Sequence, residues 1–291
     1  MASVPPTSDT RGSVAGSLRR RSYRFHDFGF KRSVFFDFQT RMRSRVPHQP
    51  VDIATRETLE FVTSHLPCGA TILEVGCGDG RVASQLLKCG YRVTGLDSKS
   101  DMIVKARTRG VPTVIGLWPK FDSNVAFDAI AFTRSLHHIN PLSEAIVRAR
   151  DLLTPEGLLL IEDFAPDEVN EATVHWFVKV LRSKKAKALI NLIAGQIATD
   201  LLSAADVMQT WRQNRGHDLH SFTTMSEAIA ERFLVRENQS VPYFYRYLIP
   251  ILPNTRAAAS FVDGVFHQEK FLSQGGEIVA LGRRIIASND R

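Results

Sequence analysis

The feature that most constrains this chain is an alternation running from Thr71 to Glu162. Short apolar runs at 71–75, 91–96, 112–115, 127–132 and 158–162 are separated by stretches with helical spacing. The first run ends in Glu74-Val75-Gly76-Cys77-Gly78-Asp79-Gly80. Strands joined through helices require right-handed crossovers and a parallel sheet covered on both faces. The spacing predicts helices over 81–88, 100–109 and 142–153, the first two closed by Gly90 and Gly110. Another, near 52–65, precedes the first strand and stops before Pro67 and Gly69.

The alternation breaks at 165. Residues 168–215 carry apolar positions at helical spacing, from Val180 and Leu181 through Leu189, Ile190, Leu192, Ile193 and Ile197 to Leu201 and Leu202. Thr224-Met225-Ser226-Glu227 fits a capping box that opens a helix through Arg232. A strand is expected over 241–248 and a helix over 255–272. A last strand is expected from Glu277 to Ala287, after the Gly275-Gly276 turn.

Charge narrows the function classes. Residues 1–50 hold ten basic and three acidic side chains, which is the whole of the formal charge of +7, so the remaining 241 residues sum to zero. A nucleic-acid enzyme more often carries its basic patch on the folded body, so no nucleic-acid partner is expected. No apolar run approaches the roughly 20 residues that span a bilayer, so no membrane span is expected either. With 291 residues, 44% of them hydrophobic, the core needs no disulfide staple. Cys68, Cys77 and Cys89 lack metal-ligand spacing and suit a reducing, cytoplasmic setting. Residues 10–26 are rich in Arg and Ser and free of acid, the composition of a solvated arm or of a mitochondrial import segment. Residues 1–18 read as disordered. The aromatics from Tyr23 to Phe38 are expected to pack on the core or over a ligand. The organisation expected is thus an arm at 1–50 and a domain at 51–291.

The turn after the first strand carries the chemistry. Gly76, Gly78 and Gly80 permit left-handed backbone and close approach of a ligand. Free N–H groups at a helix start favour an electron-rich group. Such a turn also serves as a plain sharp bend. Asp97, 21 residues after Gly76, ends the second strand, where a carboxylate can accept from both ribose hydroxyls. It could equally cap the next helix, but the two features together point to a nucleoside. The dinucleotide fingerprint is G-x-G-x-x-G; here the third glycine comes one residue early. Glu74, just before the turn, would repel a pyrophosphate but suits an amino group.

These motifs resemble those of the class I S-adenosylmethionine-dependent methyltransferases. The resemblance runs from about Glu57 to Phe164 and more loosely to the C-terminus. Ile72 to Gly80 is similar to the family's first motif and Leu96-Asp97 to its ribose-binding acid. Phe127-Asp128-Ala129-Ile130 and Leu136-His137-His138-Ile139 resemble its fourth strand and the segment after it, and Leu152 to Ile161 its fifth strand with the preceding turn. The resemblance implies a doubly wound, mostly parallel, seven-stranded Rossmann-like α/β sheet. Its last strand would be reversed, and a helical cap insertion would sit at about 165–220. It also implies S-adenosylmethionine as cofactor and a small molecule as methyl acceptor. Gly76, Cys77, Gly78 and Gly80 would line the cofactor's methionine and ribose, with Glu74 beneath and Asp97 on the ribose. Ser98 and Met102 would flank the adenine, Gly116 and Leu117 would lie at its edge, and Thr133 and Arg134 would border the sulfonium. Where many relatives place an Asp after the third strand, this chain has Gly116-Leu117-Trp118-Pro119-Lys120, so backbone atoms or Trp118 would meet the adenine.

A base is needed only when the acceptor must lose a proton early. His138, His137 and Glu162 are the candidate catalytic groups, at the carboxyl ends of strands where ligands bind in open α/β sheets. Each has a structural alternative: loop orientation for the histidines, and for Glu162 and Asp163 an N-cap or support of a histidine. Trp176, Phe177, Trp211 and His217 could line an acceptor pocket or pack between helices, and Lys184, Lys185 and Lys187 read as a solvated face. Protein or nucleic-acid methylation and a non-catalytic partner subunit are the competing functions. The intact glycine turn with Asp97 speaks against the last.

Overall fold

The computed structural model describes residues 47–190, 196–214 and 219–289. Helix α1 (Pro50–Thr63) leads into β1 (Thr71–Val75), α2 (Arg81–Lys88), β2 (Arg92–Asp97), α3 (Ser100–Thr108), β3 (Thr113–Ile115) and β4 (Phe127–Thr133). A single 3-10 turn (Leu136–His138), α4 (Leu142–Leu152) and β5 (Leu153–Phe164) follow. The seven strands are ordered β3-β2-β1-β4-β5-β7-β6, with β6 at Leu234–Val241 and β7 at Gly282–Ser288. Strands β1 to β5 are parallel, and β7 runs antiparallel between β5 and β6. This is the doubly wound sheet with a reversed last strand.

Burial on both faces explains why the central strands read as continuous apolar runs rather than as alternating ones; the edge strand β3 leaves Val114 and Ile115 exposed. On one face Ile72, Ala129, Ala131, Leu160 and Ile286 pack under Leu59 and Val62 of α1 and Val82 and Leu86 of α2. On the other, Leu73, Val75, Ile130, Phe132 and Ile161 meet Ala145 and Ile146 of α4. Met225 and Ile229 of α9 (Phe222–Arg232) complete that layer.

The segment after β5 forms α5 (Glu171–Arg182), α6 (Lys184–Leu189), α7 (Gln196–Ser203) and α8 (Val207–Asn214). They build a separate core with a 3-10 segment (Phe244–Ile251) and the long α10 (Arg256–Gln274). Trp176, Phe177, Trp211 and Phe244 meet there ring to ring, with centroids 5.1–6.4 Å apart. The tryptophans and Phe177 are therefore packing residues. Lys184, Lys185 and Lys187 are exposed.

Several boundaries differ from expectation, among them the fifth strand, which starts at Leu153 rather than Leu158. The sixth strand lies at 234–241, and the apolar stretch expected as a strand over 241–248 turns instead into the 3-10 segment. The cause is Glu269 of α10, whose buried carboxylate accepts the backbone N–H groups of Tyr243, Phe244 and Tyr245 at 2.6–3.1 Å and withdraws them from any ladder. The last strand starts at Gly282 rather than Glu277. Helix α9 starts three residues early, because Ser221 rather than Thr224 is the N-cap and accepts the Thr224 N–H.

Candidate functional site

Where β1 ends, the N–H groups of Gly76 and Cys77 both donate to the Leu96 carbonyl of β2, at 2.8 and 3.0 Å, so the chain turns across the sheet edge. Gly76, Gly78 and Gly80 have φ of +71°, +54° and +72°. A Cβ on Gly76 would stand 2.4 Å from the Ser135 Cβ, and one on Gly80 2.7 Å from the Ala106 Cβ. Those two glycines are needed for packing. A Cβ on Gly78 would meet nothing within 4 Å, because this residue faces open space. Asp97 is pinned beside it: its carboxylate accepts the Gly78 N–H and the Lys99 N–H, both at 2.9 Å. Each oxygen keeps lone pairs for a further donor.

These groups border a cleft of about 670 Å³. Of the residues expected to contact a cofactor, it is lined by Gly76, Gly78, Asp97, Ser98, Met102, Gly116, Leu117 and Arg134, and His138 stands on the same wall. Trp118, Ser135, Lys99 and Asn140 line it too. The Trp118 indole is fixed by its N–H to the Ala145 carbonyl and by an edge contact with Phe132. Lys99 and Asn140 carried no signal in the sequence, since each is one polar residue in a loop.

Other expected residues sit behind the wall. Cys77 turns its sulfur toward Gly95, and burial pushes its thiol up to about 12, so it is inert. Gly80 packs on α3. Thr133 donates from its hydroxyl to Glu74 Oε1 at 2.8 Å. Glu74 is 1% exposed, and its Oε2 has no hydrogen-bond partner among the described residues. Burial pushes its carboxyl up to about 7.

Glu162 is enclosed. Its Oε1 accepts from the Thr58 hydroxyl (2.6 Å), Arg246 (2.8 Å) and Arg134 (3.1 Å), and its Oε2 is held bidentately by Arg284 (2.7 and 2.9 Å). Burial alone would raise this carboxyl, but Arg246, Arg284 and Arg134 outweigh burial and hold it well below the usual range. A carboxylate so engaged is a poor proton acceptor. Arg134 has a left-handed backbone (φ +65°), uncommon for a side chain of this size, and its N–H donates to the Glu162 carbonyl.

His137 is buried, with Nδ1 2.7 Å from Asp163 Oδ1, while Asp163 also accepts its neighbour's N–H. With Asp163 accepting there, the tautomer is fixed with hydrogen on Nδ1. The His138 ring lies 4.1 Å from that of His137 and is exposed at the cleft. Burial of part of the ring and the adjacent His137 lower its pKa below 6.5, so it is neutral at pH 7. His217 lies outside the described residues. Among those described, no group of His, Cys, Asp and Glu could hold a metal ion, and no helix is long and apolar enough to cross a membrane.

A sheet in this strand order, with a glycine turn and a strand-end Asp at its centre, corresponds to a known sequence family. The model of the methyltransferase domain matches residues 42–206, more than half of the chain. The chain belongs to that family. The matched segment holds the cleft and the sheet through β5. An uncharacterised methyltransferase of Mycobacterium tuberculosis is 30% identical over 131 residues, 43% of this chain and 64% of that protein. A ubiquinone biosynthesis O-methyltransferase of Xanthomonas axonopodis is 30% identical over 125 residues, 40% of this chain and 52% of that protein. The matches therefore span between half and two thirds of these relatives. Among solved structures, an S-adenosylmethionine-dependent methyltransferase from Mesorhizobium loti has a TM-score of 0.49 at 16% identity, covering 81% of this chain and 97% of the other.

Proposed function

We propose that this chain transfers a methyl group from S-adenosylmethionine to oxygen, nitrogen or carbon of a small-molecule acceptor. The observation that carries the reading is the pairing of Gly78 with Asp97 in one cleft. A glycine that faces open space stands beside a carboxylate fixed by two backbone N–H groups. The residues present fit a nucleoside with an amino-acid tail: Asp97 for ribose hydroxyls, Met102, Leu117 and Trp118 as apolar surfaces for a base, and Gly76 and Arg134 toward the tail. The partnerless Oε2 of Glu74 is a buried acceptor behind the same turn. When bound, S-adenosylmethionine supplies an activated methyl on a sulfonium, so the protein's task is alignment and exclusion of water.

His138 is neutral, stands on the cleft wall, and accepts a proton from acceptors that must lose one. His137, locked by Asp163, supports the ring next to it. Glu162 anchors Arg134 rather than moving protons. The neutral net charge of residues 51–291 favours a small acceptor over nucleic acid. The ubiquinone-pathway relative named above is consistent with that choice.

Calorimetry tests the cofactor half. Binding of S-adenosylmethionine is expected in the micromolar range, about −8 kcal/mol, and Asp97→Ala should weaken it at least tenfold. Absence of binding by the intact chain would sink the reading. Transfer of label from methyl-labelled cofactor into a metabolite extract then tests the acceptor half, and label appearing only in protein or nucleic acid would contradict a small acceptor.

A further inference from the structure

The cleft read above as an S-adenosyl site has one end that must meet a zwitterion, because the cofactor's tail carries both an ammonium and a carboxylate. The charged side chains on the wall are Asp97, Lys99 and Arg134. Lys99 is exposed and lies two residues past Asp97, at the ribose end. Arg134 leads the loop after β4 whose next residue, Ser135, abuts Gly76. It is therefore the cation at the end of the cleft where the glycine turn begins.

Its surroundings are built to present that charge. Arg134 donates from Nη1 to Glu162 and Thr58, and its Nε and Nη2 make no hydrogen bond among the described residues. The side chain is 32% exposed, against 2% for Glu162. Three guanidiniums share the Glu162 carboxylate, while Glu57 acts on Arg246 and Glu74 on Arg134 from further off. Arg246 is further enclosed by the Tyr243 and Tyr245 rings, and its Nε is buried and partnerless among the described residues. Buried charge is costly unless it is matched, and an anion seated against the exposed part of Arg134 would give it a counter-charge that it does not have to share. The left-handed backbone at Arg134 is strain of the kind held at ligand sites.

We propose that Arg134 receives the methionyl carboxylate of the cofactor, with Glu162 as the positioning residue that holds its guanidinium and with Arg246 and Arg284 adding positive potential behind it. The inference rests on the S-adenosyl reading of the cleft. The fork of a guanidinium matches a carboxylate bidentately, and Arg134 retains free donors on Nε and Nη2 for such a pair.

The test compares two ligands by calorimetry on the full chain. S-adenosylhomocysteine has the amino-acid tail; 5′-methylthioadenosine has the same nucleoside and thioether without it. Arg134→Gln should weaken S-adenosylhomocysteine tenfold or more and leave methylthioadenosine within twofold. Equal weakening of both would make Arg134 a shaping residue and overturn the proposal, as would no change in either. If Arg134→Gln does not fold, Arg134→Lys keeps the charge without the fork, and a selective loss of several-fold for the tailed ligand is expected; unchanged affinity would overturn the proposal. Wild-type protein that binds neither ligand overturns the S-adenosyl reading itself, whereas binding of both with no tail-selective loss in the variants overturns this inference alone.

Discussion

Replacing Glu162 by Gln isolates what the arginine cluster does for the fold. The carboxylate joins four separate segments: Thr58 of α1, Arg134 after β4, Arg246 of the 3-10 segment and Arg284 of β7. If the amide oxygen keeps the Oε1 place, the amide nitrogen stands against both donors of Arg284, at positions 2.7 and 2.9 Å from them in the wild type. Two charge-assisted bonds are lost, and the three guanidiniums lose the carboxylate they share. Breaking a buried pair in this way costs about 3–5 kcal/mol; the lower half of that range is expected here, because Arg284 retains the Glu57 carbonyl. The effect has a signed pH dependence. The folded carboxyl is held below its ordinary range, so its contribution is complete above the unfolded value of about 4.3 and is lost as pH falls toward the folded one. Glutamine does not titrate, so the gap between wild type and variant should be full at pH 7.5 and visibly smaller at pH 3.5. Urea unfolding followed by circular dichroism at both pH values, with m checked for constancy, measures it. A loss under about 1 kcal/mol at pH 7.5, well short of the lower half of the range for a broken buried pair, or a gap that widens in acid, would refute the assignment of Glu162 as a charged anchor.

Two further outcomes follow from the cleft. Gly78→Ala places a methyl in open space but forces an L residue to φ +54°; stability should fall by about 1–2 kcal/mol, while cofactor affinity measured by calorimetry should fall by a larger factor than that strain accounts for. His138→Ala should lower kcat for a proton-losing acceptor with little change in cofactor affinity and should abolish the acid limb of the pH–rate profile, which in the wild type is expected below pH 6.5 because the ring's pKa is lowered; an unaltered profile would leave the ring structural.

The central parallel strands were legible because their apolar residues are buried on both faces of the sheet. Asp97 and the glycine turn were legible for a similar reason: their spacing along the chain is itself the signal. Long-range satisfaction of polar groups was not. The apolar stretch from Val241 to Leu248 has strand-like composition, and only Glu269, more than 20 residues further on, turns it into 3-10 structure by taking three of its N–H groups. From the sequence Glu162 reads as a catalytic candidate, an N-cap or the support of a histidine; its partners Arg246 and Arg284 lie 84 and 122 residues away. Trp176, Phe177 and Trp211 showed helical spacing without showing what they faced.

The second hydrophobic core has an implication for redesign. Helices α5 to α8 do not rest on the sheet as a detachable cover; they share their interior with Phe244, Tyr245 and Leu248 and with Ala258, Val262 and Phe266 of α10. Exchanging residues 171–214 alone for the corresponding piece of a relative would leave those side chains facing water or a mismatched surface. The smallest portable module is therefore discontinuous: it combines the helices after β5 with the stretch from Tyr243 to Gln274, which also brings Arg246 and so the tether to Glu162.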